Sequence, residues 1–258
     1  MGFRPITEVQ KIGTNYNSKT SQNFKLLYDN LRFEKYKANE ERMSSKTIAP
    51  SSFRCDRISY FRLRGVEADP VKDVDIALNF KAMLGTACHE DMQKLLCESI
   101  GDQWVDVADY LASSGVPYDY TVTHEGYECK IEFYDPPIRF ACDGIVKIGD
   151  EYYLLEIKTS EYSSFKSLDA PKEQHIDQVK CYCSLLGLRK ALVFYIERST
   201  GETKCFEVVL SDEDVAKTFE KIRRVLQSVE DNVAPPRLPS GDYWCTYCKY
   251  KIRCSQWG

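Results

Sequence analysis

The spacing of apolar and polar positions changes period part-way along the chain. Residues 23–37 place Phe24, Leu27, Tyr28 and Leu31 at helical spacing, which predicts an amphipathic helix with Lys and Arg outside. The stretch 40–52 reads as a loop, and 79–98, "NFKAMLGTACHEDMQKLLCE", as a helix despite Gly85. From residue 127 the period turns extended. Strands are expected at 127–134, 138–148, 151–158, 190–197 and 203–210, with a helix at 172–187 between the third and fourth. Ser211 followed by Asp214 has the form of a helix N-terminal cap. It opens a long helix, 212–230, with Val215, Phe219, Ile222, Leu226 and Val229 inward. "APPRLPSGD", 234–242, is a Pro-rich connector before a short cysteine-rich tail, and residues 1–22 read as an arm. Helix, three strands, helix, strand, strand predicts a mixed α/β fold. The segments are an N-terminal helical region at 1–78, a core at 79–211, and a C-terminal helix with its tail at 212–258.

One expected strand breaks its own pattern. In "EYYLLEIKTS", 151–160, Glu156 and Lys158 interrupt an apolar run two residues apart, so both side chains fall on one face. Gly149-Asp150 is a plausible two-residue hairpin turn. If Ile148 pairs with Glu151, counting back brings Asp143 opposite Glu156, at the distance of directly opposed side chains. The other face then holds Cys142, Val146, Ile148, Tyr153, Leu155 and Ile157, mostly a core face. Two adjacent carboxylates repel unless a cation lies between them, and oxygen ligands at that spacing suit Mg²⁺ or Mn²⁺. A nearby lysine can orient a water and stabilise charge developing on a phosphate. A solvated strand face with Lys158 paired to either acid explains the same residues without a metal.

Composition narrows the picture only a little. The chain has 258 residues, 43% hydrophobic and 29% charged, ordinary values for a soluble protein of one large domain or one domain with a small appendage. No apolar run approaches the roughly 20 residues of a membrane helix, and "MGFRPITEVQ" lacks a signal-peptide core. Ile6 stands where a myristoylation signal wants Ser or Thr. A cytoplasmic setting is expected. The net charge of −4 does not advertise nucleic acid, although a local basic groove can coexist with an acidic total.

The eleven cysteines need an explanation in a chain without a secretion signal. Cys129, Cys142, Cys181 and Cys205 fall inside expected elements, where a free Cys is usually a small core residue. "WCTYCKYKIRC" places Cys245, Cys248 and Cys254 together, one thiolate short of a closed tetrahedral zinc site or a cubane cluster. Cys55, in the polar, turn-like "SSFRCDRISYF", is the candidate fourth. Spacing alone allows zinc or iron–sulfur. Next to it, "DRISYFRLRG" interleaves Arg57, Arg62 and Arg64 with Tyr60 and Phe61. Such a stretch suits single-stranded nucleic acid, and equally an amphipathic helix packed on the core.

Asp143 followed, one short hairpin later, by Glu156-Ile157-Lys158 resembles the PD-(D/E)XK nuclease superfamily. "GTACH" resembles the Gly-x-x-x-His motif of its RecB-like branch, and "QVKCY" the Gln-x-x-x-Tyr motif, over roughly residues 80–200. The resemblance implies a restriction-endonuclease-like mixed sheet flanked by helices. It also implies a Mg²⁺- or Mn²⁺-dependent deoxyribonuclease. In that reading His89, Asp143, Glu156 and the carbonyl of Ile157 hold the metal, Lys158 positions the attacking water, and Gln178 and Tyr182 orient Lys158 or the DNA. The sequence departs from the superfamily's name in one respect, having "ACDG" where Pro would precede Asp143. One Cys before the core and three after it resembles the iron–sulfur RecB-like nucleases, among them the AddB nuclease domain and CRISPR-associated and phage exonucleases. By that resemblance Cys55, Cys245, Cys248 and Cys254 hold a [4Fe-4S] cluster that clasps the chain ends. The expected function is a DNA exonuclease acting on ends, with single-strand preference, in phage recombination, repair or CRISPR adaptation in a prokaryotic or phage-infected cell. Its partners would be DNA, a homo-oligomer or proteins of those pathways. The rival readings are a non-catalytic DNA-end-binding module and a zinc-stabilised endonuclease. His124 and His175 are expected to be structural, and Thr159 and Ser160 are possible phosphate contacts.

Overall fold

A computed structural model of the chain describes residues 18–40, 45–70 and 75–257. They divide into two compact units, one with 18–40, 70 and 75–79, the other with 45–69 and 80–257. The first carries α1 (Lys19–Glu40), which extends beyond the expected 23–37 at both ends. The expected arm up to residue 17, and residues 41–44 of the expected loop, lie outside the described residues.

The second unit holds the sheets. Its first helix, α2 (Asp56–Leu63), follows a 3₁₀ turn at Pro50–Ser52, and α3 (Ile76–Ser99) contributes its residues from Phe80 onward. Then come β1 (Trp104–Val105), α4 (Val107–Ser114), β2 (Tyr120–Glu125), β3 (Glu128–Phe133), β4 (Ile138–Cys142), β5 (Gly144–Ile148) and β6 (Glu151–Ser160). The remainder is α5 (Tyr162–Lys166), α6 (Glu173–Leu186), β7 (Lys190–Glu197), β8 (Thr203–Val209), α7 (Asp212–Glu230) and α8 (Lys251–Gln256). One sheet has five strands in the order β1-β5-β6-β7-β8 and the other three, β2-β3-β4. Only β6 and β7 run parallel, joined by a crossover through α5 and α6; the other ladders are antiparallel. The fold is mixed α/β, as the element order predicts.

The expected strand 138–148 is two strands. The chain leaves the three-stranded sheet at Cys142 and enters the five-stranded one at Gly144, with Asp143 at the break. Beyond it the hairpin has the expected register, Ile148 opposite Glu151 around Gly149, whose φ of 62° suits a glycine.

The expectation of one apolar and one charged hairpin face is corrected. Both faces of the five-stranded sheet are covered. On one, Val146, Leu155, Ile157 and Ile196 pack with Cys88, Met92 and Leu96 of α3. On the other, Ile145, Leu154, Val193 and Tyr195 share a core with Val179, Tyr182 and Leu186 of α6 and Ile222 and Val225 of α7. Glu156 is buried on this second face. Ile148, expected in the core, is half exposed, because it stands at the hairpin end beyond the covering helices.

Several elements escaped the pattern. β2 has exposed side chains along most of its length, so its alternation is faint. α4 is announced by chemistry instead: Asp106 accepts hydrogen bonds from the backbone of Ala108 and Asp109, and Gly115 ends it in the left-handed region. The α7 cap is as expected, Ser211 and Asp214 each bonding the other's backbone N–H. Cys129, Cys142 and Cys181 are buried, whereas Cys205 lies exposed on the edge strand β8. No helix among the described residues is long and apolar enough to cross a membrane.

Gly144 begins β5 directly after the break. A Cβ there would stand 2.5 Å from the Trp104 ring of the neighbouring strand. Gly144→Ala is therefore expected to destabilise the fold by about 1–3 kcal/mol, read as a lower urea midpoint. An unchanged midpoint would show that the ring moves aside freely.

Candidate active site and a four-cysteine cavity

A cavity of about 280 Å³ opens where the two sheets meet, and every residue expected to act through its side chain at the nuclease site lines it: His89, Asp143, Glu156, Lys158, Gln178 and Tyr182. His89 comes from α3, Glu156 and Lys158 from β6, Gln178 and Tyr182 from α6, and Asp143 from the strand break.

Asp143 is buried and tied from three directions. The Ile157 backbone N–H donates to its Oδ2 at 2.6 Å, Gln93 Nε2 donates to its backbone oxygen at 2.8 Å, and His89 Nδ1 lies 3.4 Å from Oδ1. Ile157, expected to offer its carbonyl, thus also fixes the aspartate through its N–H. The expected direct opposition of Asp143 and Glu156 is modified, because the ladder closes at Gly144–Leu155 and Asp143 reaches β6 through its carboxylate. Lys158 Nζ donates to Glu156 Oε1. Burial pushes the Glu156 carboxyl up to about 7; Lys158 pulls it down and Asp143 adds to the rise. Gln178 Nε2 donates to the Tyr182 hydroxyl at 2.7 Å, and Phe140 stacks on the Tyr182 ring at 4.3 Å. Burial raises the Tyr182 hydroxyl well above its ordinary value, so it stays protonated.

The helical glycine of "GTACH" has a local reason: a Cβ at Gly85 would stand 3.3 Å from Thr159 Oγ1, so its absence lets α3 approach β6. Ser160, one of the possible phosphate contacts, is buried and donates to the Glu161 carbonyl at 3.3 Å. His175 is held at 2.6 Å from the Tyr195 hydroxyl, and burial lowers its pKa to about 3, so it is neutral. His124 Nδ1 sits 3.8 Å from Cys129 Sγ, away from the cavity.

Sequence reasoning missed Glu128, Arg139 and Gln93. The first two line the cavity. Gln93 lies one turn beyond His89 on α3, a buried polar residue at i+4, and that spacing was the available signal. Glu128 carried none, since only the register of β3 brings it there.

Cys55, Cys245, Cys248 and Cys254 line a second cavity of about 150 Å³ together with Arg57, Phe61, Trp244 and Tyr250. Cys55 precedes α2, and burial pushes its thiol up while the backbone N–H groups of Ile58 and Arg57 act against that rise. The Tyr250 N–H donates to Cys248 Sγ at 3.4 Å. The single-strand-binding reading of "DRISYFRLRG" is overturned. Tyr60 and Phe61 are buried and pack edge-on against Trp257, and Arg57 and Arg62 donate to the carbonyls of Trp257 and Thr47, so neither ring is open to a base.

No protein-family model matches the sequence, and no curated protein matches it either. Among solved structures, SSO0001 matches at 16% identity with a TM-score of 0.50, covering 90% of this chain and 98% of its own. An alkaline exonuclease (LHK-Exo) from Laribacter hongkongensis matches at 17% identity and 0.43, covering 77% of this chain and 93% of its own. The same exonuclease in complex with dAMP matches at 16% and 0.43, with the same coverage. The SSO0001 match shows a shared fold and nothing of chemistry; the exonuclease matches superpose too loosely to show either.

Among the described residues, no three His, Cys, Asp or Glu side chains stand in a metal-holding geometry as they are. At the first cavity, Lys158 holds Glu156 and His89 faces Asp143, so a cation would displace those contacts. The donor set there, two buried carboxylates and an imidazole, fits a hard divalent ion once Lys158 lets go. At the second cavity four thiols line mostly apolar walls, with N–H groups on two sulfurs, and their chemistry, though not their present geometry, suits a thiolate-bound metal.

Because the Glu156 carboxyl is raised in the fold, its contribution to stability is fully present below the usual carboxylate range and lost as pH rises towards 7. In EDTA, wild type is expected to lose on the order of 2–3 kcal/mol relative to Glu156→Gln between pH 5 and 8, measured by urea unfolding. A difference that does not change with pH would show that the carboxyl ionises as freely in the fold as in the unfolded chain.

Proposed function

We propose that the chain is a Mg²⁺- or Mn²⁺-dependent DNA exonuclease of the RecB-like PD-(D/E)XK type, acting on DNA ends with single-strand preference. The observation that carries this reading is the convergence of His89, Asp143, Glu156, Lys158, Gln178 and Tyr182, far apart in sequence, on one cavity. Asp143, Glu156, His89 and the Ile157 carbonyl would hold the cation. When bound, it would supply Lewis-acid stabilisation of charge on the scissile phosphate.

The residues divide the remaining work. Released from Glu156, the Lys158 ammonium would orient the water whose oxygen adds to phosphorus as the bond to the leaving oxygen breaks, the water giving up a proton to solvent and the leaving oxygen taking one from it. Asp143, fixed through Ile157 and Gln93, keeps one wall rigid while Lys158 moves. The Gln178–Tyr182 pair, hydrogen-bonded to each other, would orient Lys158 or the DNA strand.

The four cysteines would hold a [4Fe-4S] cluster. The supporting observation is that all four, far apart in sequence, line one cavity of about 150 Å³. The cluster would tie Cys55, ahead of the core, to the tail behind it, a structural role. A setting in phage recombination, repair or CRISPR adaptation belongs to the same reading.

Digestion of end-labelled linear and matched circular single-stranded DNA with Mn²⁺ tests the activity, using anaerobically purified wild type beside Lys158→Ala. Loss of the linear substrate alone, reduced at least a hundredfold in the variant, is expected. Cutting of circles would make the protein an endonuclease, and equal inertness with retained end binding would make it a binding module. For the cysteines, iron and sulfide are expected in the purified wild type and to be lost in Cys55→Ser; zinc in their place would overturn the cluster.

A further inference from the structure

Asp143 belongs to neither sheet and is the next residue of both. Counting back from Gly144–Leu155 brings it to Glu156, and counting on from Cys129–Cys142 brings it to Glu128. The aspartate therefore has one carboxylate neighbour from each sheet. Glu128 lines the same 280 Å³ cavity as His89, Asp143 and Glu156. With His89 it also borders a larger groove of about 780 Å³ running along α3. The cation nearest to it on its own strand, Lys130, is engaged by Glu125. Lys158 is engaged by Glu156, and Arg139 lies 4.0 Å from Glu132.

We propose that Glu128 is a further ligand of the divalent-cation site, taking a cation on the β3 side of Asp143 so that both sheets contribute a carboxylate to it. This rests on the metal-dependent reading above. Three carboxylates gathered in one cavity repel unless cations neutralise them; Lys158 is held by Glu156, and Arg139, which also lines the cavity, stands beside Glu132, so negative charge is left for a metal ion to balance. Oxygen donors around a shared aspartate suit Mg²⁺ or Mn²⁺, which takes carboxylates together with water. Because the ligands then come from two sheets, a bound cation would add a tie between them to the Ile157–Asp143 hydrogen bond.

The test is Mn²⁺ binding, followed by the loss of the free-ion paramagnetic resonance signal, on the full chain purified anaerobically. Wild type, Glu128→Gln, Glu128→Asp and Glu132→Gln, a half-buried change on the same strand beside Arg139, are compared. Glu128→Gln is expected to weaken Mn²⁺ binding at least tenfold, Glu128→Asp to fall between, and Glu132→Gln to match wild type. In EDTA the melting temperature of Glu128→Gln should be no lower than that of wild type, since a repelling charge has been removed. If Glu128→Gln does not fold, Glu128→Asp, which keeps the charge and shortens the reach, carries the comparison. Equal binding by wild type and the Glu128 variants overturns the role of Glu128 and leaves the metal reading standing. No binding by wild type overturns the metal reading itself.

Discussion

The hydrogen bond from the Ile157 backbone to the Asp143 carboxylate holds the two sheets in relation to one another. At Asp143 the chain stops pairing with β3 and starts pairing with β6. A break of this kind leaves backbone and side-chain polar groups without ladder partners in a buried place, which is costly unless others satisfy them. Here the carboxylate takes the N–H of the neighbouring strand and Gln93 takes the free carbonyl. The bend is thereby fixed, and the cavity at the bend has walls from both sheets and from α3 and α6.

The same constraint explains the charges inside an apolar strand. Glu156 is almost wholly enclosed, and burial alone would favour its neutral form. Lys158 answers that by folding back onto it. In the metal-dependent reading proposed above, a cation would displace this contact, and the lysine that balances the carboxylate would be the group freed for work. The plainer explanation of the sequence pattern holds for the pairing of Lys158 with Glu156 but not for a solvated face, because the glutamate is almost wholly buried.

The cysteine cavity is separate in its elements yet joined to the core through short packing contacts. Tyr60 and Phe61 of α2 meet Tyr250 and Trp257 of the tail, and Asp69 receives the backbone N–H groups of Ile252 and Arg253 at the start of α8. These contacts bring the segment before the core and the segment after it together. The aromatic residues that resembled a base-stacking strip are consumed in that packing. Interleaved rings and arginines are as good at making a small core with cations at its rim as at binding nucleic acid, and a linear pattern cannot separate the two.

The sequence by itself determined the order of the longer helices and of most core strands and the register of the β5–β6 hairpin, while the resemblance of its motifs to a known superfamily named His89, Gln178 and Tyr182 for the cavity. The order and the register follow from local physics: period two in strands, a two-residue turn that fixes pairing, and a capping pair at α7. What only the tertiary structure decided is the break at Asp143, the burial of both sheet faces, and the presence of Glu128 and Arg139 in the cavity. A strand that changes sheets looks, in sequence, like one long strand, since both halves keep the same alternation. Glu128 sits at the end of an ordinary strand, and its meeting with Asp143 is set by a ladder between segments separated by a loop of variable geometry. No single-chain pattern encodes that distance; the packing of one sheet against the end of another does.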